Sequence, residues 1–233
     1  MRAIGIVGFK ESGKTTLAVN LSQELKRRGY TVTTIKHSDK SLTLAGTDSA
    51  KLIECTGQGA AVTEAETALY FTGPKQLEEV LKYFEADFAV IEGFKNERTY
   101  PKIVCLRDET EAKSLFDGLQ ICAVGSGEDL AVPLLKDVRE IADLVLRRAF
   151  KLPKLDCGGC DFDTCYELAQ AIVAGNRTEE DCVALRPKTV VKIDGQTVPL
   201  NPFASNMIRN TIIGILSSLK GVRKGSIEIA FSP

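Results

Sequence analysis

The residues with the clearest chemical capacity lie at positions 8–15, where the sequence reads GFKESGKT. They match the pattern G-x-x-x-x-G-K-[ST] at every fixed position and stand between an apolar run and an amphipathic segment. Glycines let backbone N–H groups converge on phosphate oxygens at the start of a helix, where the helix dipole favours anions. The pattern therefore predicts a nucleotide phosphate-binding loop. Its predicted contacts are Gly8, Lys10, Glu11, Ser12, Gly13, Lys14, Thr15 and Thr16.

A magnesium site is predicted beside this loop. In loops of this pattern the lysine, here Lys14, reaches the β- and γ-phosphates, and the hydroxyl group of Thr15 binds Mg²⁺. A further ligand is expected from an acidic residue at the end of a neighbouring strand, and FAVIEGF over 88–94 supplies Glu92. A solvated loop glutamate is the alternative interpretation of Glu92. Asp87 precedes the same strand and would lie at its far end.

Closely spaced cysteines form a second candidate site, with the pattern C-x2-C-x4-C-x16-C over residues 157–182. Zinc sites usually take their ligands as two close couples, whereas here three thiols are crowded together, one returns after a helix, and no histidine is near. Such a set suits a [4Fe–4S] cubane, in which each thiolate meets a different iron. Zinc, free thiols and a disulfide remain alternatives. The candidate ligands are Cys157, Cys160, Cys165 and Cys182.

The remaining cysteines are isolated in apolar stretches. Such positions are better explained by small buried hydrophobic side chains than by chemistry. They are Cys55, Cys105 and Cys122.

The composition is that of a globular protein without a nucleic-acid or membrane partner. Hydrophobic residues make up 44% and charged residues 26% of the 233 residues, which is enough to bury a core. The sequence contains 30 Lys and Arg residues and 31 Asp and Glu residues, and the charges are interspersed. This pattern excludes a basic surface of the kind that binds nucleic acid or anionic membranes. No run approaches the roughly 20 apolar residues of a membrane helix, and the first residues do not form a signal peptide. We expect a cytoplasmic protein. In that reducing compartment, clustered cysteines are more often metal ligands or redox groups than disulfides.

Up to about residue 150 the sequence alternates between strand-like and helical segments. This alternation predicts an α/β fold of the P-loop NTPase type, with a mostly parallel sheet and helices on both faces. In the helix after the phosphate loop, Leu17, Leu21 and Leu25 share one face. Further helices are predicted over 75–84 and 136–150. The predicted strands are 3–9, 31–37, 60–65, 88–94, 102–107 and 119–125.

The pattern changes after KLPKLD at 151–156, a predicted linker. The cysteines lead into a helix over 164–175, an Asp-Gly turn at 194–195 predicts a β-hairpin, and an Asn-Pro pair at 201–202 opens another helix. That helix carries an apolar stripe, and a last strand is expected over 226–231. The stripe consists of Ile208, Ile212, Ile215 and Leu219. The predicted parts are a P-loop nucleotide-binding domain at 1–150, a four-cysteine module at 151–186 and a small α+β unit at 187–233.

The first part resembles the MobB family, the GTP-binding proteins of molybdopterin-guanine dinucleotide biosynthesis. The motifs occur in the family's order and cover roughly residues 1–147; they are VGFKESGKTTL, IKH at 35–37, GTDS at 46–49, IEGFK at 91–95 and PKI at 101–103. The resemblance implies a homodimeric GTPase-type fold that binds GTP and Mg²⁺ and hydrolyses GTP weakly at most. It also implies a partner, the molybdenum cofactor guanylyltransferase that transfers GMP to the molybdopterin cofactor.

The resemblance also bears on single residues. It favours a nucleotide or pterin contact for His37, the only histidine of the chain, whereas a partly exposed loop histidine is the alternative. Asp48 is equally compatible with a ligand contact and with a turn. The family's arginines after G-x-D-S are missing, and Lys51 is a candidate substitute. Lys10 stands one place later than the signature lysine of related dimeric ATPases, so no role across a dimer is assigned to it.

The base of the nucleotide is set by the resemblance alone, because no N-K-x-D guanine motif is present. The loop GSGED at 125–129 follows a predicted strand and is the expected base-recognition region. Its carboxylates, Glu128 or Asp129, could accept hydrogen bonds from a guanine.

The cysteine segment resembles a four-cysteine [4Fe–4S] domain found in some electron-transfer subunits and corrinoid proteins. That pattern reads C-G-x-C-G-x-x-x-C, then a helix and a final cysteine. Asp161 stands where the pattern has glycine, and the proline that commonly follows the last cysteine is absent. The leading hypothesis is therefore a GTP-binding adaptor of molybdenum or tungsten cofactor maturation with an accessory cluster. The alternative is a nucleotide-gated redox or metal-delivery NTPase that uses the cluster.

Overall fold

A computed structural model of the protein describes residues 1–38, 48–186, 189–198, 200–219, 225 and 227. The chain divides into two compact units, Met1–Lys151 and Leu152–Pro233. The further division that the sequence predicts within the second unit stays a prediction. Each unit is described by itself.

The first unit is built on a five-stranded sheet with the strand order β2-β5-β1-β6-β7. Every neighbouring pair is parallel, so the predicted α/β architecture is confirmed. Because parallel strands run in one direction, the residues that follow β1, β2 and β5 meet at one edge. The strands are β1 (Arg2–Gly8), β2 (Val32–Lys36), β5 (Phe88–Glu92), β6 (Lys102–Leu106) and β7 (Gln120–Gly125).

Helices flank this sheet. Alternate residues of a strand face opposite sides of the sheet, and two core clusters form around odd-numbered residues of β1, Ala3 and Val7. Leu77 joins the first cluster and Leu115 the second, which places α3 and α4 on that face. The helices are α1 (Lys14–Arg27), α2 (Asp48–Thr56), α3 (Leu77–Leu81), α4 (Ala112–Leu115), which follows a 3-10 turn at Glu109–Glu111, and α5 (Val138–Arg148).

Charged side chains join α1 to α5. The carboxylate of Glu24 accepts hydrogen bonds at 2.8 Å from both Arg27 and Arg28. These arginines hold the pKa of Glu24 at about 2. Arg28 also donates to Asp143 and, at 3.0 Å, to the carbonyl of Arg139 on α5. The predicted apolar face of α1 is buried, so leucines and this charged network together position the helix that follows the phosphate loop.

The strand expected over 60–65 exists but does not join the main sheet. It is β3 (Gln58–Val62), which pairs antiparallel with β4 (Thr67–Phe71) in a separate ribbon. The connection is short and closed by Thr63, whose N–H donates to the carbonyl of Glu66 at 2.8 Å. A tight turn of this kind returns the chain antiparallel, whereas a parallel partner needs a long crossover. The prediction of a main-sheet strand here was therefore wrong.

The helix expected over 75–84 is shorter, because α3 ends at Leu81. A capping box of Gln76 and Glu79 fixes its start. Beyond its end, the N–H groups of Tyr83 and Phe84 bond to carbonyls three residues earlier, the spacing of a tight turn.

The second unit contains the helices and the hairpin that the sequence predicts. The hairpin strands pair antiparallel about the Asp-Gly turn. The predicted apolar stripe of the last helix is not buried, since Ile215 is 61% and Leu219 is 56% exposed. The strand expected over 226–231 lies outside the described residues except for Ile227. The elements are α6 (Cys165–Val173), a 3-10 turn at Glu179–Asp181, β8 (Val191–Ile193), β9 (Gln196–Val198) and α7 (Pro202–Ser217).

In the part of the chain that the structure describes, no helix has both the length and the apolar character needed to span a bilayer.

Gly125 offers a stability test of the β6–β7 pairing. Its φ is +114°, and an added Cβ would lie 1.9 Å from the carbonyl oxygen of Leu106. We expect Gly125→Ala to lower the free energy of unfolding by about 3 kcal/mol or more, from backbone strain and overpacking together. The matched control is Gly73→Ala, at φ +85° with no atom within 4 Å of the added Cβ, which should cost about 1 kcal/mol. Urea denaturation measures both, and equal losses would contradict the steric argument.

Candidate functional site

The predicted phosphate loop is a tight turn between β1 and α1. Glu11 and Gly13 have left-handed φ angles of +64° and +82°. A Cβ on Gly8 would lie 2.4 Å from the Ser12 hydroxyl oxygen and 2.6 Å from the carbonyl oxygen of Cys105. Only glycine at position 8 therefore allows the loop to lie this close to β6.

The loop presents polar groups that the described residues leave without partners. The hydroxyl oxygen of Ser12 is buried and has no hydrogen-bond partner. No side chain caps the start of α1, where Gly13 stands at the N-cap. The first N–H groups of a helix have no partner within the helix. This combination suits a phosphate group, whose oxygens accept such donors at a helix start.

Lys14, the first residue of α1, points back over this loop. Its ammonium group donates a hydrogen bond to the carbonyl of Phe9. The side chain is partly buried, and this bond places the cation within the loop.

Thr15 and Glu92 are brought together, as the magnesium prediction requires. The Thr15 hydroxyl lies 2.9 Å from both carboxylate oxygens of Glu92. Lys36, the last residue of β2, donates to the same carboxylate at 2.9 Å and lies 3.2 Å from the Thr15 oxygen. Asp87 lies at the other end of β5, where its carboxylate accepts from Thr31 at 2.8 Å. A hydroxyl and a carboxylate are oxygen ligands of the kind Mg²⁺ takes, so the donor set fits the ion.

His37 follows Lys36 at this edge of the sheet. Its N–H donates to the carbonyl of Glu92 at 2.9 Å, and its ring lies 4.7 Å from that of Phe94. Gly93, at φ +88°, leaves room for it, since a Cβ there would lie 3.1 Å from the Cβ of His37. The backbone of His37 is thus fixed to that of Glu92, and its exposed ring packs on Phe94.

The other predicted residues make exposed contacts with near neighbours in sequence. Asp48 begins α2 and forms an exposed ion pair with Lys51 at 3.3 Å. Lys10 is exposed and lies 3.8 Å from the carboxylate of Glu11. Thr16 is exposed in the first turn of α1. The motif at 46–49 lies partly outside the described residues.

The proposed base-recognition loop follows β7. Glu128 and Asp129 are both exposed, and Asp129 has a left-handed φ of +49°. The N–H of Ser126 donates to the carbonyl of Leu106 at 3.1 Å, which fixes the start of the loop to β6.

Sequence reasoning missed the basic residues around Phe9. The Lys95 ammonium lies 4.1 Å from the centre of the Phe9 ring, and the Arg107 guanidinium lies 5.9 Å from it. The buried Lys102 fixes this segment, since it donates at 2.8 Å to the carbonyl of Lys95. Lys36 was missed as well. Its position beside His37 at the end of a strand is the signal that could have shown it.

The isolated cysteines differ in burial. Cys105 and Cys122 are buried as predicted, and burial raises their pKa values to about 11 and about 12. Cys55 is exposed on α2, so the expectation of a buried side chain was wrong there. Its helix has Ile53 as its buried residue, and position 55 falls on the outer side.

The four cysteines of the second unit share one short segment. Cys165 and Cys182 are buried, whereas Cys157 and Cys160 are partly exposed. Burial raises the pKa of the Cys182 thiol, and the negative charges of Cys165 and Cys160 raise it further. Within the described ranges, however, no three His, Cys, Asp or Glu side chains are placed to hold a metal ion.

Backbone groups already support two of the thiols. Burial raises the pKa of Cys165, while hydrogen bonds from the backbone N–H groups of Asp156 and Leu155 act against that rise. Hydrogen bonds from the backbone of Leu185 and Ala184 likewise oppose the rise in the pKa of Cys182. Hydrogen bonds to sulfur stabilise thiolates and tune iron–sulfur clusters. The donor set therefore fits a cluster in its chemistry.

The loop that carries Cys157 and Cys160 is closely packed and contains a residue with a left-handed backbone conformation. A Cβ on Gly159 would lie 2.5 Å from Pro202 and 2.7 Å from Val183, the neighbour of Cys182. Asp161 has a left-handed φ of +66°. That conformation favours glycine, which explains why the resembling pattern has glycine at this position.

Comparison with known proteins gives the family. Residues 3–126, more than half of the chain, match the MobB family model, described as "Molybdopterin guanine dinucleotide synthesis protein B". The chain is 32% identical over 238 residues to a Methanocaldococcus jannaschii protein named "Putative molybdopterin-guanine dinucleotide biosynthesis adapter protein"; the match covers 95% of this chain and 93% of that protein. The chain belongs to the MobB family.

Two further comparisons concern the MobB part. A Haemophilus influenzae molybdopterin-guanine dinucleotide biosynthesis adapter protein is 34% identical over 114 residues, which are 46% of this chain and 64% of that protein. The crystal structure of Bacillus subtilis MobB covers 63% of this chain and 97% of its own, with a TM-score of 0.52 at 23% identity. The latter likeness shows a shared fold.

The cysteine segment matches a family of its own. Residues 152–184 match a model described as "Putative Fe-S cluster". All four candidate thiol ligands fall within this range.

Cys165→Ser tests the cluster. We expect anaerobically prepared wild-type protein to be brown and the variant to lose most of its colour, because an alcohol replaces one thiolate ligand. Visible absorbance with iron and sulfide analysis measures this, and Cys55→Ser is the matched control at an exposed cysteine outside the segment. A colourless wild type with stoichiometric zinc would exclude the cluster in favour of a zinc site.

Proposed function

We propose that this MobB family member is a GTP-binding adaptor of molybdenum or tungsten cofactor maturation that assists the guanylylation of molybdopterin. The observation that carries the nucleotide part is the contact of Thr15 with Glu92 at 2.9 Å beside a phosphate loop. The pathway is supported by the family and by relatives named as adapter proteins of molybdopterin-guanine dinucleotide biosynthesis.

In the proposed nucleotide site the loop N–H groups and the Ser12 hydroxyl receive phosphate oxygens. Lys14 exchanges the carbonyl of Phe9 for the β- and γ-phosphates, which is a favourable change from a neutral acceptor to a charged one. Thr15 and Glu92 would hold Mg²⁺, whose charge offsets that of the phosphates. His37, which is exposed and follows Lys36 in sequence, would contact the nucleotide or the pterin.

Slow hydrolysis fits the contacts of this site. In the described part of the chain, the Lys14 ammonium group bonds to a backbone carbonyl. The side chains of Thr15 and Glu92 bond to each other and to Lys36. Fast NTPases add an arginine or a water-positioning glutamine, which can increase the rate by about 10³–10⁵. Binding, with weak GTP hydrolysis at most, is therefore the proposed activity.

The preference for GTP is proposed from the family. The exposed carboxylates of Glu128 and Asp129, in the loop after β7, support it because a carboxylate can accept from the N1–H and N2–H groups of guanine. A homodimer in the cytoplasm is proposed on the same basis, with the guanylyltransferase and the molybdopterin cofactor as partners.

The second unit would hold a [4Fe–4S] cluster through Cys157, Cys160, Cys165 and Cys182. Such a cluster supplies one-electron chemistry and cross-links the segment that holds it. The burial of Cys165 and Cys182 supports an accessory, folding-linked role, because small units gain much of their stability from bound metal.

Lys14→Ala tests the nucleotide site. We expect the variant to lose detectable GTP binding by calorimetry, because the cation that faces the phosphates is removed. Lys26→Ala is the matched control, since Lys26 is exposed in the last turn of α1, about 18 Å from Lys14 along the helix axis. Its affinity for GTP should equal that of wild type. Unchanged affinity in Lys14→Ala would exclude the phosphate-loop assignment.

Guanylyltransferase assays test the adaptor role. Wild-type protein with GTP should increase the yield of guanylylated molybdopterin, and Lys14→Ala should not, since nucleotide binding is required. The alternative role makes a different prediction, a cluster potential that shifts with nucleotide together with fast hydrolysis. That pattern, without an increase in product, would replace the adaptor by a nucleotide-gated redox or metal-delivery NTPase.

A further inference from the structure

Lys36 stands between the two groups that would bind magnesium. It is the partner of Glu92 in the parallel β2–β5 register, and both residues end their strands. Its ammonium nitrogen lies 2.9 Å from a carboxylate oxygen of Glu92 and 3.2 Å from the hydroxyl oxygen of Thr15. A single positive charge thus bridges the same oxygens that a divalent cation would use.

The two partners differ in their freedom to move. The Glu92 side chain is 11% exposed, whereas that of Lys36 is 56% exposed. A buried carboxylate without a partner is unfavourable, and Lys36 supplies that partner. The lysine side chain can swing into solvent, while Glu92 stays held between its neighbouring strands.

We propose that Lys36 is a tethered cation that keeps the Thr15–Glu92 pair in place without metal and competes with Mg²⁺ for it. This inference rests on the proposed function, because it requires Thr15 and Glu92 to be the metal ligands. Competition follows from charge, since an ammonium group and a divalent cation at one carboxylate repel each other strongly at such short distances. Lys36 therefore leaves Glu92 when the divalent cation binds.

The size of the effect follows from the strength of an ion pair whose lysine is solvent-exposed. The apparent affinity for metal is the intrinsic affinity multiplied by the fraction of molecules in which Lys36 has left. For a pair of ordinary strength this lowers the apparent affinity by about two- to sixfold. The gain in GTP affinity that Mg²⁺ produces is reduced by the same factor.

The experiment compares that gain between variants. The dissociation constant of GTP is measured by calorimetry in EDTA and again at saturating Mg²⁺. The gain is the constant in EDTA divided by the constant in Mg²⁺. In Lys36→Met the gain should be about two- to sixfold larger than in wild type. Lys36→Arg keeps the charge and should keep the wild-type gain.

A control separates local competition from a general loss of charge. Lys26→Met removes an exposed lysine in the last turn of α1, about 16 Å from Thr15 along the helix axis. Its gain should equal that of wild type. Circular dichroism verifies the fold of each variant, and Lys36→Gln replaces Lys36→Met if the latter does not fold.

The outcomes distinguish the two levels of the proposal. An equal or smaller gain in folded Lys36→Met, with GTP bound by wild type, overturns the tethered cation and leaves the nucleotide site intact. A wild type that binds GTP in neither condition overturns both. A larger gain in Lys36→Met and in Lys26→Met alike also overturns the tethered cation, because the effect would then not depend on Glu92.

Discussion

The nearly buried carboxylate of Glu92 is the constraint on which the proposed nucleotide site depends. It lies at the end of β5, between the strands that deliver the phosphate loop and Lys36. A buried carboxylate without a hydrogen-bond or ionic partner is energetically unfavourable, so Glu92 needs a partner both with and without a bound metal ion. The hydroxyl of Thr15 and the ammonium of Lys36 share that task at 2.9 Å from its oxygens. Parallel strands bring these side chains together although they are far apart in sequence.

Much of this site was predictable because its parts follow local rules. The phosphate loop has a fixed pattern, and Glu92 ends an apolar strand, so both could be found without coordinates. The position of Lys36 beside His37 at a strand end could have drawn attention to it, but its contact with Glu92 depends on the register of β2 with β5, which sequence does not reveal. The same holds for Lys95 and Arg107, which meet at Phe9 only after folding.

The fold shows the same division between local and long-range information. Buried strands were predictable from continuous apolar runs, whereas the partner of β3 was not, since no strand was predicted at β4. Burial of Cys55 was predicted wrongly because an apolar neighbourhood in sequence is not one face of a helix. The cysteine spacing indicated a cluster, but the burial of Cys165 and Cys182 became visible only in three dimensions.

The close packing of Gly8 on Cys105 has a consequence for the thermodynamics of binding. A loop that already packs against β6 through backbone contacts loses little conformational freedom when a phosphate binds. The entropic cost of ordering this loop on binding is therefore small. Lys14 and Lys36 differ from this backbone, because each ammonium group is hydrogen-bonded to a protein oxygen. In the proposed site, the conformational cost of binding would therefore fall on these two side chains and not on the loop.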